Sequence, residues 1–242
     1  MVKEYTKENP LRVFTAFSGY DSQCLALNRL GIAYDLVGWS EIDKAAITAH
    51  DALFPEYKDR NYGDISKIDW ETVPDFDLFT YSFPCTDLSN AGRQAGFDEG
   101  SGTRSSLLWE CRKAISIKRP KYLMLENVKN LVSEKFVDLF NIWCKELESY
   151  GYVNYHEILN SKDFGVPQSR ERVFMVSILR TDDEPEPYYE FPKGTTLTKT
   201  VEDILEDNVP EKYYMKEEVT ERYMNIMDVE ESDDFALDEG LW

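Results

Sequence analysis

Several features that would assign the 242-residue sequence to a membrane, secreted or zinc-binding class are missing from it. No run of 18 apolar residues occurs, so the sequence predicts no membrane-spanning helix. The segment 1–5 lacks the apolar core of a signal peptide. The four cysteines, Cys24, Cys85, Cys111 and Cys144, form no C-x-x-C pair. This spacing argues against a zinc site and a disulfide framework, and it predicts a reducing, cytoplasmic location.

Basic residues are also scarce, and the shortage is uneven along the chain. The sequence has 27 Lys and Arg against 46 Asp and Glu, a net charge of −19. Residues 1–180 carry a net charge of −4, and residues 181–242 carry −15. Because DNA phosphates are negative, we expect the acidic segment to repel DNA. It is either a solvated tail or a surface for a basic partner, and the sequence leaves both interpretations open.

Strand-like apolar runs alternate with helical patterns up to residue 180, and this alternation predicts an α/β fold with a doubly wound, mostly parallel sheet. Prolines beyond it predict a boundary between a catalytic domain over 1–180 and an acidic extension over 181–242. The predicted strands are Leu11–Phe17, Tyr34–Trp39, Phe76–Ser82, Tyr122–Leu125, Val153–Leu159 and Val173–Leu179, with Asn61–Ile65 as a candidate for a short additional strand. The predicted helices are Ser22–Leu30, Lys44–Leu53, Ser105–Ile117 and Phe136–Tyr150.

Polar or reactive side chains stand at the ends of three of these strands. Cys85 follows the run that ends at Phe83, Glu126 follows Leu125, and the segment 168–172 opens the last strand. Open α/β sheets keep their sites along such a rim. A thiol, a carboxylate and two guanidinium groups there suit covalent attack on an electron-poor ring. Taken singly, each also has an ordinary interpretation as a buried cysteine, a capping glutamate or surface arginines.

A nucleotide-like cofactor is the second function that strand ends indicate. Phe17-Ser18-Gly19 leads from the first strand into a helix, where doubly wound sheets meet such cofactors, but no G-x-G-x-x-G follows. Glu41 ends the second strand and is placed either to accept both ribose hydroxyls or to lie on the surface. Asp64 is either an acceptor for an adenine amino group or a turn aspartate.

The order of these motifs resembles that of the cytosine-C5 DNA methyltransferase family. The resemblance covers about residues 11–180, and its later motifs are the more specific ones. The first block has few glycines for this family, and Thr86 stands where many members carry glutamine. The matching segments are Phe17-Ser18-Gly19, Glu41-Ile42-Asp43, Asp64-Ile65, Phe83-Pro84-Cys85-Thr86-Asp87-Leu88-Ser89, Gly102-Thr103-Arg104-Ser105-Ser106-Leu107, Glu126-Asn127-Val128 and Gly165-Val166-Pro167-Gln168-Ser169-Arg170-Glu171-Arg172-Val173-Phe174.

The resemblance implies methyl transfer from S-adenosylmethionine to C5 of a cytosine flipped out of double-stranded DNA. It implies Cys85 as the nucleophile that adds to C6 and Glu126 as the group that neutralises charge at N3. Arg170 and Arg172 are implied to orient the base. No metal is implied. The implied cofactor contacts are Phe17, Ser18, Gly19, Glu41, Ile42, Asp64, Ile65, Pro84 and Leu107.

The family normally continues beyond the Gln-x-Arg-x-Arg block into a target-recognition region and two closing blocks, which this sequence does not show. We therefore expect a second polypeptide to supply them, while a truncated copy stays open as an explanation. Two other functions are considered: a non-catalytic binding or regulatory protein that uses the fold and its acidic extension, and a tRNA cytosine methyltransferase. The intact catalytic set argues against the first. The lack of a Cys-Phe-Thr tripeptide argues against the second.

Overall fold

The computed structural model describes residues 5–84 and 104–230. By its internal contacts the chain divides into two compact units. The first contains Met1–Asn160 and Arg170–Gly194, and the second contains Ser161–Ser169 and Thr195–Trp242. The functional boundary predicted at residue 180 stays a prediction. Cys85 and the first part of the motif that begins at Gly102 lie outside the described residues.

Six strands form the sheet of the first unit: β1 Leu11–Ala16, β2 Tyr34–Ser40, β3 Leu78–Tyr81, β4 Tyr122–Val128, β5 Tyr152–Asn160 and β6 Glu171–Leu179. Their spatial order is β2-β1-β3-β4-β6-β5. Neighbours from β2 to β4 are parallel, whereas β6 is antiparallel to both β4 and β5. Every strand but β6 therefore points in the same direction, which confirms the predicted α/β class with a mostly parallel sheet.

Helices cover both faces of this sheet. The described part of the unit contains α1 Ser22–Leu30, α2 Lys44–Leu53, α3 Leu108–Lys118 and α4 Val137–Ser149. Leu11 and Val13 of β1 pack into a core with residues of α1 and α2, whereas Phe14 and Ala16 pack with α3 and α4. The alternation arises because successive strand residues face opposite sides. The chain changes side between β2 and β3, so the crevice between β1 and β3 is the switch point where such folds bind ligands.

Short polar side chains determine where the first two helices begin. Asp21 caps α1 by accepting a hydrogen bond from the backbone of Cys24 at 3.4 Å. Asp43 caps α2 by accepting from the backbone of Ala46 at 2.9 Å. Such caps satisfy N–H groups that have no partner within the helix.

Several predicted boundaries differ from the structure by one to three residues, and two differences change the type of element. The candidate strand at Asn61–Ile65 was wrong, because only Asn61 bridges to Trp39 and a 3₁₀ turn, Ile65–Lys67, follows. The helix predicted from Ser105 begins as a 3₁₀ turn, Arg104–Leu107, before α3.

The described part of the second unit contains α5 Glu217–Glu230 and three 3₁₀ turns, Ser161–Phe164, Glu202–Ile204 and Glu211–Tyr213. The sequence pattern did not predict α5. Many large apolar side chains of this unit are at least 40 % exposed, namely Val201, Ile204, Leu205, Tyr213, Tyr214, Met215, Val219, Tyr223 and Met224. We call this set the apolar surface of the second unit.

Candidate active site

The strand ends at which polar residues were predicted lie at one edge of the sheet, because β6 runs antiparallel to β4. Cys85 itself lies outside the described residues. Arg172 pairs in register with Val128, and Phe174 pairs with Glu126. The amino end of β6 therefore lies beside the carboxyl end of β4. The parallel pairing of β4 with β3, and of β3 with β1, places their carboxyl ends at the same edge.

The loop after β1 has an unusual backbone. Phe17, Gly19 and Asp21 have positive φ angles of 55°, 57° and 68°. Residues other than glycine rarely adopt this conformation, and they keep it only where the surroundings hold them. The Gly19 N–H donates to Glu41 Oε2 at 3.0 Å, which connects the loop to the end of β2.

Glu41, which follows β2, is fixed from several sides. Its Oε1 accepts from the N–H groups of Ile42 and Asp43 at 2.8 and 2.9 Å. The Asn61 side chain accepts from the Glu41 N–H at 3.3 Å and donates to its carbonyl oxygen at 3.1 Å. No local sequence pattern identified Asn61 as a partner of Glu41, since this contact joins residues 20 positions apart. The carboxylate is therefore held in one orientation before any ligand binds.

The residues at this edge fit the adenosine part of S-adenosylmethionine. Ser18 is 5 % exposed, and among the described residues its hydroxyl has no hydrogen-bond partner. Buried polar groups of this kind require a partner. Glu41 keeps acceptor capacity at Oε2, because this oxygen has two lone pairs and accepts one hydrogen bond, from the Gly19 N–H. The Ile42 side chain is 70 % exposed and offers an apolar contact for a flat ring.

The other four predicted cofactor positions differ in their burial and in their hydrogen bonds. Asp64 accepts from the Ser66 hydroxyl and N–H, and these hydrogen bonds lower the pKa of its carboxyl group. Ile65 is buried in the core, and Leu107 is partly buried against the same core. Pro84 is half-buried. The assignment of these positions to the cofactor stays a prediction.

Glu126 and Arg172 form an ion pair at the site edge. Arg172 Nε lies 3.3 Å from Glu126 Oε1, and the two side chains are 22 % and 26 % exposed. The guanidinium is also fixed by a 2.7 Å hydrogen bond from Nη1 to the Glu171 carbonyl oxygen. Arg170 has an exposed side chain, and its N–H donates to Asn160 Oδ1 at 3.0 Å. The structure thus brings Glu126 and Arg172 together and leaves the Arg170 side chain at the surface.

Asn127 attaches β4 to the turn that precedes Cys85. Its side chain is almost fully buried, and its Nδ2 donates to the Phe83 carbonyl oxygen. Its Oδ1 accepts from the Val128 N–H at 2.9 Å. The sequence pattern included Asn127 in a motif but gave it no role of its own.

The three described cysteines are poorly suited to nucleophilic chemistry. Burial raises the pKa of the Cys24 and Cys111 thiols, and it raises the pKa of Cys144 to about 12. Because the thiolate is the nucleophilic form, these thiols are inert near neutral pH.

Within the described residues, no helix is long and apolar enough to cross a membrane. Over the same part of the chain, no group of three or more His, Cys, Asp and Glu side chains is arranged to hold a metal ion.

Comparison with known proteins gives consistent matches. The model of a family described as C-5 cytosine-specific DNA methylase matches residues 11–240. The type II methyltransferase M2.ScrFI of Lactococcus lactis subsp. cremoris is 42 % identical over 85 % of this chain and 70 % of its own length. The orphan methyltransferase M.SPRI of Bacillus phage SPR is 33 % identical over 87 % of this chain and 53 % of its own length. The chain therefore spans only part of each relative.

Among solved structures, the S. pombe Dnmt2 methyltransferase matches with a TM-score of 0.66 and 21 % identity, over 89 % of this chain and 66 % of that one. At this identity the match shows the fold alone, and it confirms the Rossmann-like methyltransferase type that the sequence predicted.

Proposed function

Because the chain belongs to the family of C-5 cytosine-specific DNA methylases, we propose that it transfers a methyl group from S-adenosylmethionine to C5 of cytosine in double-stranded DNA. The observation that carries this proposal is the Glu126–Arg172 pair at the sheet edge. Strand β4, which carries Glu126, is joined to Phe83 by a hydrogen bond from the Asn127 side chain. Phe83 lies two residues before Cys85 in the sequence. A carboxyl group, a guanidinium and a thiol are the groups that covalent activation of a cytosine requires.

The proposed chemistry begins with addition, because C5 of cytosine is a weak nucleophile. The Cys85 thiolate gives an electron pair to C6 and forms a C–S bond, while N3 takes a proton from Glu126. C5 then has enamine character, and bound S-adenosylmethionine would supply its methyl group to C5, while the S–CH3 bond breaks and S-adenosylhomocysteine leaves. A base removes the C5 proton, the C6–S bond breaks to return the thiolate, and the C5–C6 double bond forms again. N3 finally returns its proton to Glu126. The cytosine must leave the duplex stack to reach these groups.

Supporting roles follow from the contacts around the pair. Arg172 holds the Glu126 carboxyl group in place, and Arg172 and Arg170 together orient the flipped base. The raised thiol pKa values of the three described cysteines leave Cys85 as the candidate nucleophile.

For the cofactor, Glu41 is assigned to the ribose hydroxyls and Asp64 to the adenine amino group. The loop Phe17-Ser18-Gly19 is assigned to one side of the cofactor site. Two observations support this assignment: the Ser18 hydroxyl has no hydrogen-bond partner among the described residues, and the Gly19 N–H donates to Glu41. The remaining assignments are apolar contacts from Ile42, Ile65, Pro84 and Leu107.

Recognition of the duplex is assigned to a second, basic polypeptide. Residues 195–230 carry 10 acidic and 4 basic side chains, so this segment opposes phosphate binding. The same segment presents the apolar surface of the second unit. Apolar contact area surrounded by negative charge complements a basic protein surface. The three described cysteines are free thiols, and this supports the proposal that the two polypeptides associate in a reducing cytoplasm.

Trapping on modified DNA tests the proposal. A duplex that contains 5-fluorocytosine cannot lose its C5 substituent as a proton, so the C6–S bond should persist after methylation. The full chain would be incubated with this duplex and S-adenosylmethionine, with and without the product of the neighbouring gene, which is the candidate to be tested as the second polypeptide. We expect an adduct on the Cys85 peptide, lost in Cys85→Ala and retained in the matched variant Cys144→Ala. No adduct under either condition, or an adduct on another cysteine, contradicts the proposal.

A further inference from the structure

Asp21 is a buried carboxylate within the loop that the proposed function assigns to the cofactor. Its side chain is 0 % exposed, and its Oδ2 accepts from the Thr15 hydroxyl at 2.9 Å. Its backbone N–H donates to the Ser18 carbonyl oxygen at 2.8 Å. The residue that carries the carboxylate is therefore hydrogen-bonded to the loop backbone at Ser18. A carboxylate removed from water is costly unless other groups compensate its charge.

His50 of α2 faces this carboxylate from the next helix. Its ring is also 0 % exposed, with Nε2 3.7 Å from Asp21 Oδ2 and Nδ1 3.5 Å from Asp51 Oδ1. Among the described residues, neither ring nitrogen has a hydrogen-bond partner. Trp39 stacks on the ring at 3.7 Å between centroids, and Phe54 lies at 5.3 Å. At 3.7 Å the attraction between an Nε2–H and the carboxylate is electrostatic, and burial leaves it poorly screened.

We propose that His50 is a positioning residue, whose Nε2–H holds the Asp21 carboxylate and thereby fixes the loop 17–21 in the form that presents Ser18 and Gly19 to the cofactor. The contacts are continuous from His50 to Asp21, from Asp21 to the Ser18 carbonyl oxygen, and from Gly19 to Glu41. The identity of the cofactor rests on the proposed function. The dependence of the loop on His50 does not.

Ring packing is the competing explanation, and three variants at position 50 separate it from positioning. His50→Phe keeps an aromatic ring against Trp39 and removes both N–H groups. His50→Gln places an amide nitrogen near the former Nε2, whereas His50→Asn places one near the former Nδ1. Positioning through Asp21 requires that Gln substitutes for His and that Asn and Phe do not. Packing requires that Phe substitutes best.

Two measurements on the full chain report whether the loop 17–21 keeps its conformation. The first is hydrogen exchange of the Gly19 amide without cofactor, since this amide donates to Glu41. The second is the affinity for S-adenosylhomocysteine by calorimetry. We expect about tenfold faster exchange and about tenfold weaker binding in His50→Asn and His50→Phe, as for loss of a buried charge-assisted contact. His50→Gln should stay within about threefold of the unaltered chain on both measurements.

A second background tests whether His50 acts through Asp21. Asp21→Gly keeps the positive φ, which glycine adopts readily, but removes the carboxylate. In this background His50→Asn should produce no further change in Gly19 exchange. A full additional effect there, or equal effects of Gln, Asn and Phe, overturns the inference. If His50→Asn does not fold, the comparison of Gln with Phe decides. If Gly19 exchange follows the expected pattern but no variant and no unaltered chain binds S-adenosylhomocysteine, the positioning role stands and the proposed cofactor assignment fails.

Discussion

The Asn127 side-chain amide donates a hydrogen bond to the Phe83 carbonyl oxygen across 3.0 Å. This contact joins β4, which carries Glu126, to the backbone two residues before Cys85. The buried Asn127 amide therefore helps to fix the position of the segment after β3 relative to β4 and Glu126. Small displacements of reacting groups lower rates strongly, so under the proposed function this contact affects catalysis as well as stability.

Replacing Asn127 by Asp should test this relationship. The aspartate keeps the shape but cannot donate to Phe83 when ionised, and it places a buried negative charge beside a carbonyl oxygen. We expect a loss of about 1–3 kcal/mol in the free energy of unfolding, measured by urea denaturation. The rate of 5-fluorocytosine trapping should fall by at least about tenfold, because the turn before Cys85 is no longer fixed.

Asn154 offers the matched control. Its Nδ2 donates to the Cys144 carbonyl oxygen at the same distance of 3.0 Å. Asn154→Asp should therefore destabilise the protein with little effect on the trapping rate. Equal losses of trapping rate in the two variants would contradict a specific role for Asn127.

Sequence periodicity predicted the sheet well because most of its strands contain apolar runs that are bounded by turn residues. It stopped β4 at Leu125, whereas the strand continues to Val128. Two of the three added residues, Glu126 and Asn127, are polar, so the apolar run ends at Leu125. They are strand because β6 pairs with them, from Glu126 opposite Phe174 to Val128 opposite Arg172. A partner 44 positions later in the chain cannot be read from a local window.

The same reason explains which site residues the sequence missed. Glu41 was identified from its position after a strand, but Asn61, which fixes it, had no local signal. Asp21 directly precedes the predicted helix Ser22–Leu30, where either Asp21 or Ser22 is suited to cap it. Its burial against His50 depends on the packing of α1 beside α2, which periodicity does not specify.

Glu126→Gln should separate catalysis from cofactor binding. Glutamine keeps the size of the side chain but cannot supply a proton to N3. We expect the trapping rate to fall by about 100-fold or more, as for loss of a general acid, with unchanged affinity for S-adenosylhomocysteine. Glu171→Gln is the matched control, since Glu171 pairs with Lys129 near the same edge. Similar losses in both variants would argue for a general charge effect.

Glu41→Ala should weaken cofactor binding. The carboxylate is held by three backbone N–H groups and is assigned to the ribose hydroxyls. Loss of a charged acceptor costs about 1.5–3 kcal/mol, so calorimetry should show S-adenosylhomocysteine affinity lower by about ten- to a hundredfold. Asp43→Ala serves as control, because it removes the cap of α2 at a cost of about 1 kcal/mol in stability. Equal losses of S-adenosylhomocysteine affinity in Glu41→Ala and Asp43→Ala would mean that Glu41 acts only by stabilising α2.

The Cys144 thiol should be unreactive in the folded protein and reactive after unfolding. With a pKa of about 12, only about one thiol in ten thousand is ionised at pH 8. Burial favours the neutral thiol, so its contribution to stability is complete below its ordinary pKa of about 8.5 and is lost as pH rises toward 12. Iodoacetamide labelling and peptide mass spectrometry at pH 8, with and without urea, measure the reactivity of the Cys144 thiol. Rapid labelling without urea would contradict it.

The apolar surface of the second unit should bind the proposed basic partner. Tyr223 and Met224 on α5 are 54 % and 55 % exposed, so replacing both by serine should leave the free energy of unfolding nearly unchanged. Exposed aromatic residues surrounded by acids are typical anchors of an interface, and affinity for the product of the neighbouring gene should fall by about tenfold or more. Tyr188→Ser, at a tyrosine that is 75 % exposed in the first unit, should leave this affinity unchanged. Because acidic residues surround the anchors, added salt should weaken association of the unaltered chain. Full, sequence-specific methylation by the chain alone, or equal binding by all variants, would rule out this surface as the site of partner recognition.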